Sequence, residues 1–133
     1  MTTFDRMTML IIRITGIFQV LLGIVFWTGN VLPLIPLHML VGAIFVISLW
    51  VLGIRAGVKG AGAGRAALVT GWGVLVLAFG MVQAQILPGP YHWIIRTLHL
   101  LVGIAAMALA DRLSRRMKSV KPGRPTVLDA RPA

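Results

Sequence analysis

The chain contains no cysteine, only three acidic residues and a single tyrosine. Without cysteine there are no disulfides, iron–sulfur clusters or thiolate metal ligands, and no covalent haem attachment. The acids, Asp5, Asp111 and Asp129, lie at or beyond the ends of the apolar runs. A proton-coupled or multidrug transporter needs a titrating group within the membrane, most often a carboxylate, so that class loses ground. Hydrolytic and nucleophilic chemistry has no plausible set of residues either. No more than 12% of the 133 residues are charged, whereas 58% are hydrophobic and the mean hydropathy is +0.91. Soluble domains carry about twice that charge.

The charge-free stretches decide the class. Residues 14–54 and 66–95 contain no Asp, Glu, Lys or Arg. A transmembrane helix needs about 20 mainly apolar residues. The first stretch therefore holds two spans, and the second holds one and the start of another. The expected spans are Met7–Thr28, Leu37–Ile54, Ala66–Leu87 and Tyr91–Leu113, separated by turns at Gly29–Pro33, Gly57–Gly64 and Leu87–Pro90. The fold class is an all-α membrane protein, a four-helix transmembrane bundle over residues 1–118. The first span reads as uncleaved rather than as a signal peptide. Ser119–Ala133, polar and Pro-rich, is expected to be a disordered tail.

Arg6, Arg13, Arg55, Lys59, Arg65, Arg112, Arg115, Arg116, Lys118 and Lys121 cluster at one end of the spans. The positive-inside rule places both termini and the middle loop in the cytoplasm, and a bacterial inner membrane is the expected location. The net charge of +10 is read as topogenic and directed at anionic headgroups, not at nucleic acid. Arg13 falls inside the first span, where its stem can snorkel to the nearer interface. Trp27 and Trp93 fall near one membrane face, Trp50 and Trp72 toward the other, as interfacial indoles do.

The halves repeat. Thr15-Gly16 and Thr70-Gly71 are 55 residues apart, as are Leu32-Pro33 and Leu87-Pro88. Beyond Pro88 the offset becomes 61, pairing Leu37-His38 with Leu98-His99, Gly42 with Gly103 and Arg55 with Arg116. The bundle is thus two tandem helical hairpins running in the same sense, with six extra residues in the second outer loop.

His38 and His99 carry the functional expectation. A polar group in hydrocarbon is costly and marks a candidate site, and one imidazole from each hairpin suggests two ligands for one object. Gly42 and Gly103 lie one helical turn beyond the histidines on the same face. Gly16 and Gly23, with Gln19 between them, and Gly73 and Gly80, with Gln83 beyond, provide similar clearings on the partner helices. Such small-residue faces also serve plain helix packing. The two His-x-x-x-Gly phrases and their flanking glycines resemble the small four-helix membrane b-type cytochromes. That resemblance implies a single bis-histidine haem b, with His38 and His99 on its iron. Arg96, one turn before His99, is placed to meet a haem propionate or to snorkel into headgroups. Tyr91, His92 and Trp93 read as interface anchors.

The expected site lies in the outer half of the bilayer, suited to electron exchange with quinol or another carrier, alone or within a larger redox complex. Copper is the rival metal, with Met39, Met81 and Met107 as soft ligands. A cofactor-free accessory subunit and a small transporter are the other readings.

Overall fold

The computed structural model describes residues 1–29 and 32–120. Four helices account for nearly all of them: α1 Thr3–Phe26, α2 Ile35–Val58, α3 Ala63–Val82 and α4 His92–Ser119. No strand occurs among the described residues. All four helices are long and apolar enough to cross a membrane. At 1.5 Å per residue α1 and α2 are each about 36 Å long, more than the roughly 30 Å hydrocarbon layer. The chain is an integral membrane protein built as a helix bundle.

The helix ends have local causes. Thr2 caps α1, taking a bond from the Asp5 amide at 3.3 Å, while the Asp5 carboxylate accepts from the Thr2 amide at 2.7 Å. This capping box starts α1 at Thr3, four residues before the expected span. Pro36 sits in the first turn of α2, where its missing N–H costs nothing. Gly60 and Gly62, both with positive φ, turn the chain between α2 and α3. α3 tightens into a 3₁₀ turn at Gln83–Gln85 rather than continuing to Leu87. α4 runs past Leu113 to Ser119, so the expected tail begins within a helix, and residues 121–133 of it lie outside the described residues. Of the first outer turn, residues 30 and 31 do too.

Sequential helices pack side by side and α4 returns to α1, while α2 also touches α4 across the bundle. The α2–α4 diagonal is therefore the short one. The core is not central along the axis. Met9 and Ile12 of α1, Phe45, Leu49, Leu52 and Ala56 of α2, Val69 of α3, and Ala106, Ala110, Leu113 and Met117 of α4 are all buried together. Most lie toward the end that carries the termini, with Phe45 and Ala106 near the middle of their helices. In the opposite half few side chains are buried, Leu22 and Ile95 among them.

A polar network closes the terminal end. Asp5 has no exposed surface and accepts from Arg55 Nε at 2.6 Å and from Lys59 Nζ. The Arg55 guanidinium also lies 4.6 Å from the centre of the Phe4 ring. These contacts tie the start of α1 to the end of α2. Arg13, expected to snorkel, instead pairs with Asp111 of α4 at 2.9 Å, because the antiparallel packing brings the carboxylate to its own depth.

The tryptophans divide into two kinds. Trp27 and Trp93 are exposed. Trp50 and Trp72 are half-buried and donate their indole N–H to backbone carbonyls of the next helix, Thr70 at 3.1 Å and Val102 at 3.0 Å. The second pair are thus interhelical contacts, and Trp72, at the middle of α3, does not lie toward a face as expected.

Candidate functional site: the histidine pair

His38 is the fourth residue of α2 and His99 the eighth of α4. The second outer loop lets α4 begin one turn further out, and this compensates for the difference. The rings come together with centroids 6.4 Å apart and planes inclined at 54°. Each ring also meets a phenylalanine edge: Phe26 of α1 lies 5.3 Å from His38, and Phe79 of α3 lies 5.6 Å from His99. Sequence reasoning passed over both phenylalanines, since nothing distinguishes them from other apolar residues of their spans.

The polar atoms of the pair are incompletely satisfied. Nδ1 of His38 and Nδ1 of His99 are buried and have no hydrogen-bond partner, and Oε1 of Gln19 is in the same state. A buried polar atom without a partner costs about 1–3 kcal/mol. Three such atoms occur at one level of the bundle, in its loosely packed half. Gln19 uses its other end: its amide donates to the backbone carbonyl of His38 at 2.8 Å.

The glycines sort by what occupies the space beside them. A Cβ at Gly42 would lie 2.5 Å from Gln19 Nε2, so this glycine admits the amide that holds His38. A Cβ at Gly80 would lie 3.2 Å from His99 Cε1, so Gly80 makes room for the imidazole itself. Gly16 and Gly73 were expected to clear space for a cofactor. Met107 fills the first space and Trp50 the second, because bundle packing brings these large side chains opposite them. Gly23 and Gly103 have nothing within 4 Å.

Arg96 is exposed and belongs to none of the ion pairs among the described residues. The ring of His92 is not part of the pair; its Nδ1 lies 3.2 Å from the Ile86 carbonyl and closes the outer loop. Tyr91 and Trp93 are exposed beside it. Gln83 falls in the 3₁₀ turn that ends α3. Met39 and Met81 are exposed, and Met107 faces Gly16. No group of three or more His, Asp or Glu able to hold a metal occurs among the described residues, so a protein-only metal cage is not formed there. What the arrangement offers is two imidazoles and open glycine faces. Such a set could hold a metal only within a group that supplies the remaining ligands itself, as a haem would.

No known protein family, curated protein or solved structure matches this chain.

Proposed function

We propose that this chain is a membrane-embedded b-type cytochrome that holds one haem b between His38 and His99 and carries electrons. The observation that carries the reading is the pair itself. Two half-buried imidazoles from the two hairpins stand 6.4 Å apart, each with an orphaned Nδ1. His38 and His99 would hold the iron, Gly80 seats the His99 ring, and Gly23 and Gly103 leave their faces open. Arg96, exposed one turn toward the outer end, is the cation available for a propionate. Haem would supply a one-electron couple there; the chain's part would be to hold the two imidazoles toward it and exclude water from them.

Copper is the weaker alternative, since Met39 and Met81 do not join the histidines. A transporter is weaker still, with Asp5 and Asp111 both engaged in ion pairs. With both termini in the cytoplasm, the pair lies in the outer half of a bacterial inner membrane. There it exchanges electrons with a partner at that face, alone or as a subunit of a redox complex.

The test is the reduced-minus-oxidised spectrum of protein purified in detergent after expression with adequate haem supply. A low-spin α-band is expected from the native chain and from His92→Ala. It should be absent from His38→Ala and His99→Ala, while membrane insertion is retained. A colourless native protein, or a band that survives either of those two replacements, overturns the proposal.

A further inference from the structure

The two histidines are held differently, and the difference lies on one face of α1. Gln19, Gly23 and Phe26 recur at i, i+4 and i+7 and so share that face. Gln19 Nε2 donates to the His38 carbonyl at 2.8 Å, and the Phe26 ring meets the His38 ring edge-on at 5.3 Å. Gly23 stands between those two contacts, and a Cβ there would meet nothing within 4 Å. This face of α1 therefore holds His38 at its backbone and at its ring, with room for a small group between.

Two polar atoms of the joined residues are left over. Oε1 of Gln19 and Nδ1 of His38 are both buried without a partner. The orientation of the amide is fixed, because only its NH₂ end can donate to the carbonyl. The atom left over is thus an oxygen, which only accepts. A water suits the pair: it takes a bond from an N–H and gives one to an amide oxygen. Immobilising one water costs less than leaving two buried polar atoms unpaired. His99 has no such arrangement. At the 55-residue spacing of the repeat Gln19 corresponds to Val74, an exposed apolar residue, and Nδ1 of His99 faces no equivalent amide.

We propose that Gln19 is a positioning residue that fixes the tautomer of His38 through one buried water beside Gly23. The water accepts from Nδ1–H of His38 and donates to Oε1 of Gln19. The proton is thereby held at Nδ1, and Nε2 keeps its lone pair, the form in which an imidazole bonds a metal ion. His99, without this partner, samples both tautomers. Use of the His38 lone pair by iron rests on the proposed function; the tautomer itself does not.

The experiment is solid-state nitrogen NMR of the isotopically labelled full chain, reconstituted in lipid without haem. The three histidines give three sets of ring signals, assigned by the set lost in His38→Ala and in His99→Ala. His92, whose Nδ1 faces the Ile86 carbonyl, is the internal reference for an intact fold. In the native chain the Nδ1–H form of His38 should exceed the other by about tenfold, the worth of one hydrogen bond, with magnetisation transfer from water to that nitrogen. The ratio should fall several-fold in Gln19→Leu, which removes the acceptor. It should fall likewise in Gly23→Val, which fills the space while leaving the amide in place. Gln19→Glu, whose carboxyl oxygen still accepts, should restore it, and His99 should stay unchanged throughout. A native His38 protonated at Nε2, a ratio indifferent to both Gln19→Leu and Gly23→Val, or a response at His99 in place of His38 would each overturn the proposal. None of these outcomes depends on whether the chain binds haem.

Discussion

The side-chain amide of Gln19 reaches the backbone carbonyl of His38 at 2.8 Å through the space left by Gly42. One residue on α1 thereby fixes the start of α2 at the point where the imidazole projects. The equivalent glycine of the second hairpin, Gly103, meets nothing within 4 Å. The two halves of the repeat are alike in sequence and unlike in use.

The Gln19 contact should be measurable. Gln19→Leu removes one interhelical hydrogen bond, worth about 0.6 kcal/mol on average in membranes. Gly42→Val forces the amide away as well and overpacks the interface, for about 1–3 kcal/mol. Thermal unfolding in detergent should rank Gly42→Val well below Gln19→Leu in stability, with Gly103→Ala close to the native protein. Equal losses at positions 42 and 103 would contradict this placement.

At the histidine pair the expected readout is bound haem per chain. Gly80→Val drives a branched side chain against the His99 ring, and the bound amount should fall sharply. Gly71→Ala, at a glycine with nothing within 4 Å and no place in the site, should bind the native amount. If both variants bind alike, Gly80 does not seat the ligand.

Asp5 is the only fully buried charge among the described residues, held by Arg55 and Lys59. Asp5→Asn leaves two cations without their counter-charge. The expected loss is about 3 kcal/mol, the lower end of the range for breaking a buried pair, because both partners are partly exposed. Thr2→Ala, which removes the cap together with the hydroxyl's bonds to Arg55 Nη2 and Asp5 Oδ2 but leaves the ion pairs, should cost about 1–2 kcal/mol. Denaturation of the detergent-solubilised protein distinguishes the two.

Trp50 and Gly73 form a lock between α2 and α3. A Cβ at Gly73 would stand 2.8 Å from the indole nitrogen that binds Thr70. Gly73→Ala should destabilise by about 1–3 kcal/mol. Trp50→Phe, losing one hydrogen bond, should cost less. The double variant should be more stable than the sum of the two, with a coupling above about 0.5 kcal/mol. Additive losses would mean that the two residues do not share this contact.

The sequence alone determined the class, the number of helices and which half-phrases correspond, because long uncharged runs and Gly-Pro turns act locally. Hydrocarbon accepts a backbone only when its own hydrogen bonds are satisfied, so such runs must be helices wherever their neighbours lie. His38 and His99 were also visible, as polar groups at matching places in an apolar repeat. What only the tertiary structure decided is what faces what. Glycines at repeat spacing look interchangeable, yet Gly16 receives Met107, Gly73 receives Trp50, Gly80 receives His99 and Gly103 receives nothing. Arg13 looked like a snorkelling cation until α4 placed Asp111 beside it. Phe26 and Phe79, unmarked in their spans, became walls of the histidine pair. The reason is that helix formation depends on local hydrogen bonds and hydropathy, whereas a side chain's partner depends on the rotation and offset of a separate helix. In an apolar solvent those are set by close packing and the few available polar contacts, which no single span encodes.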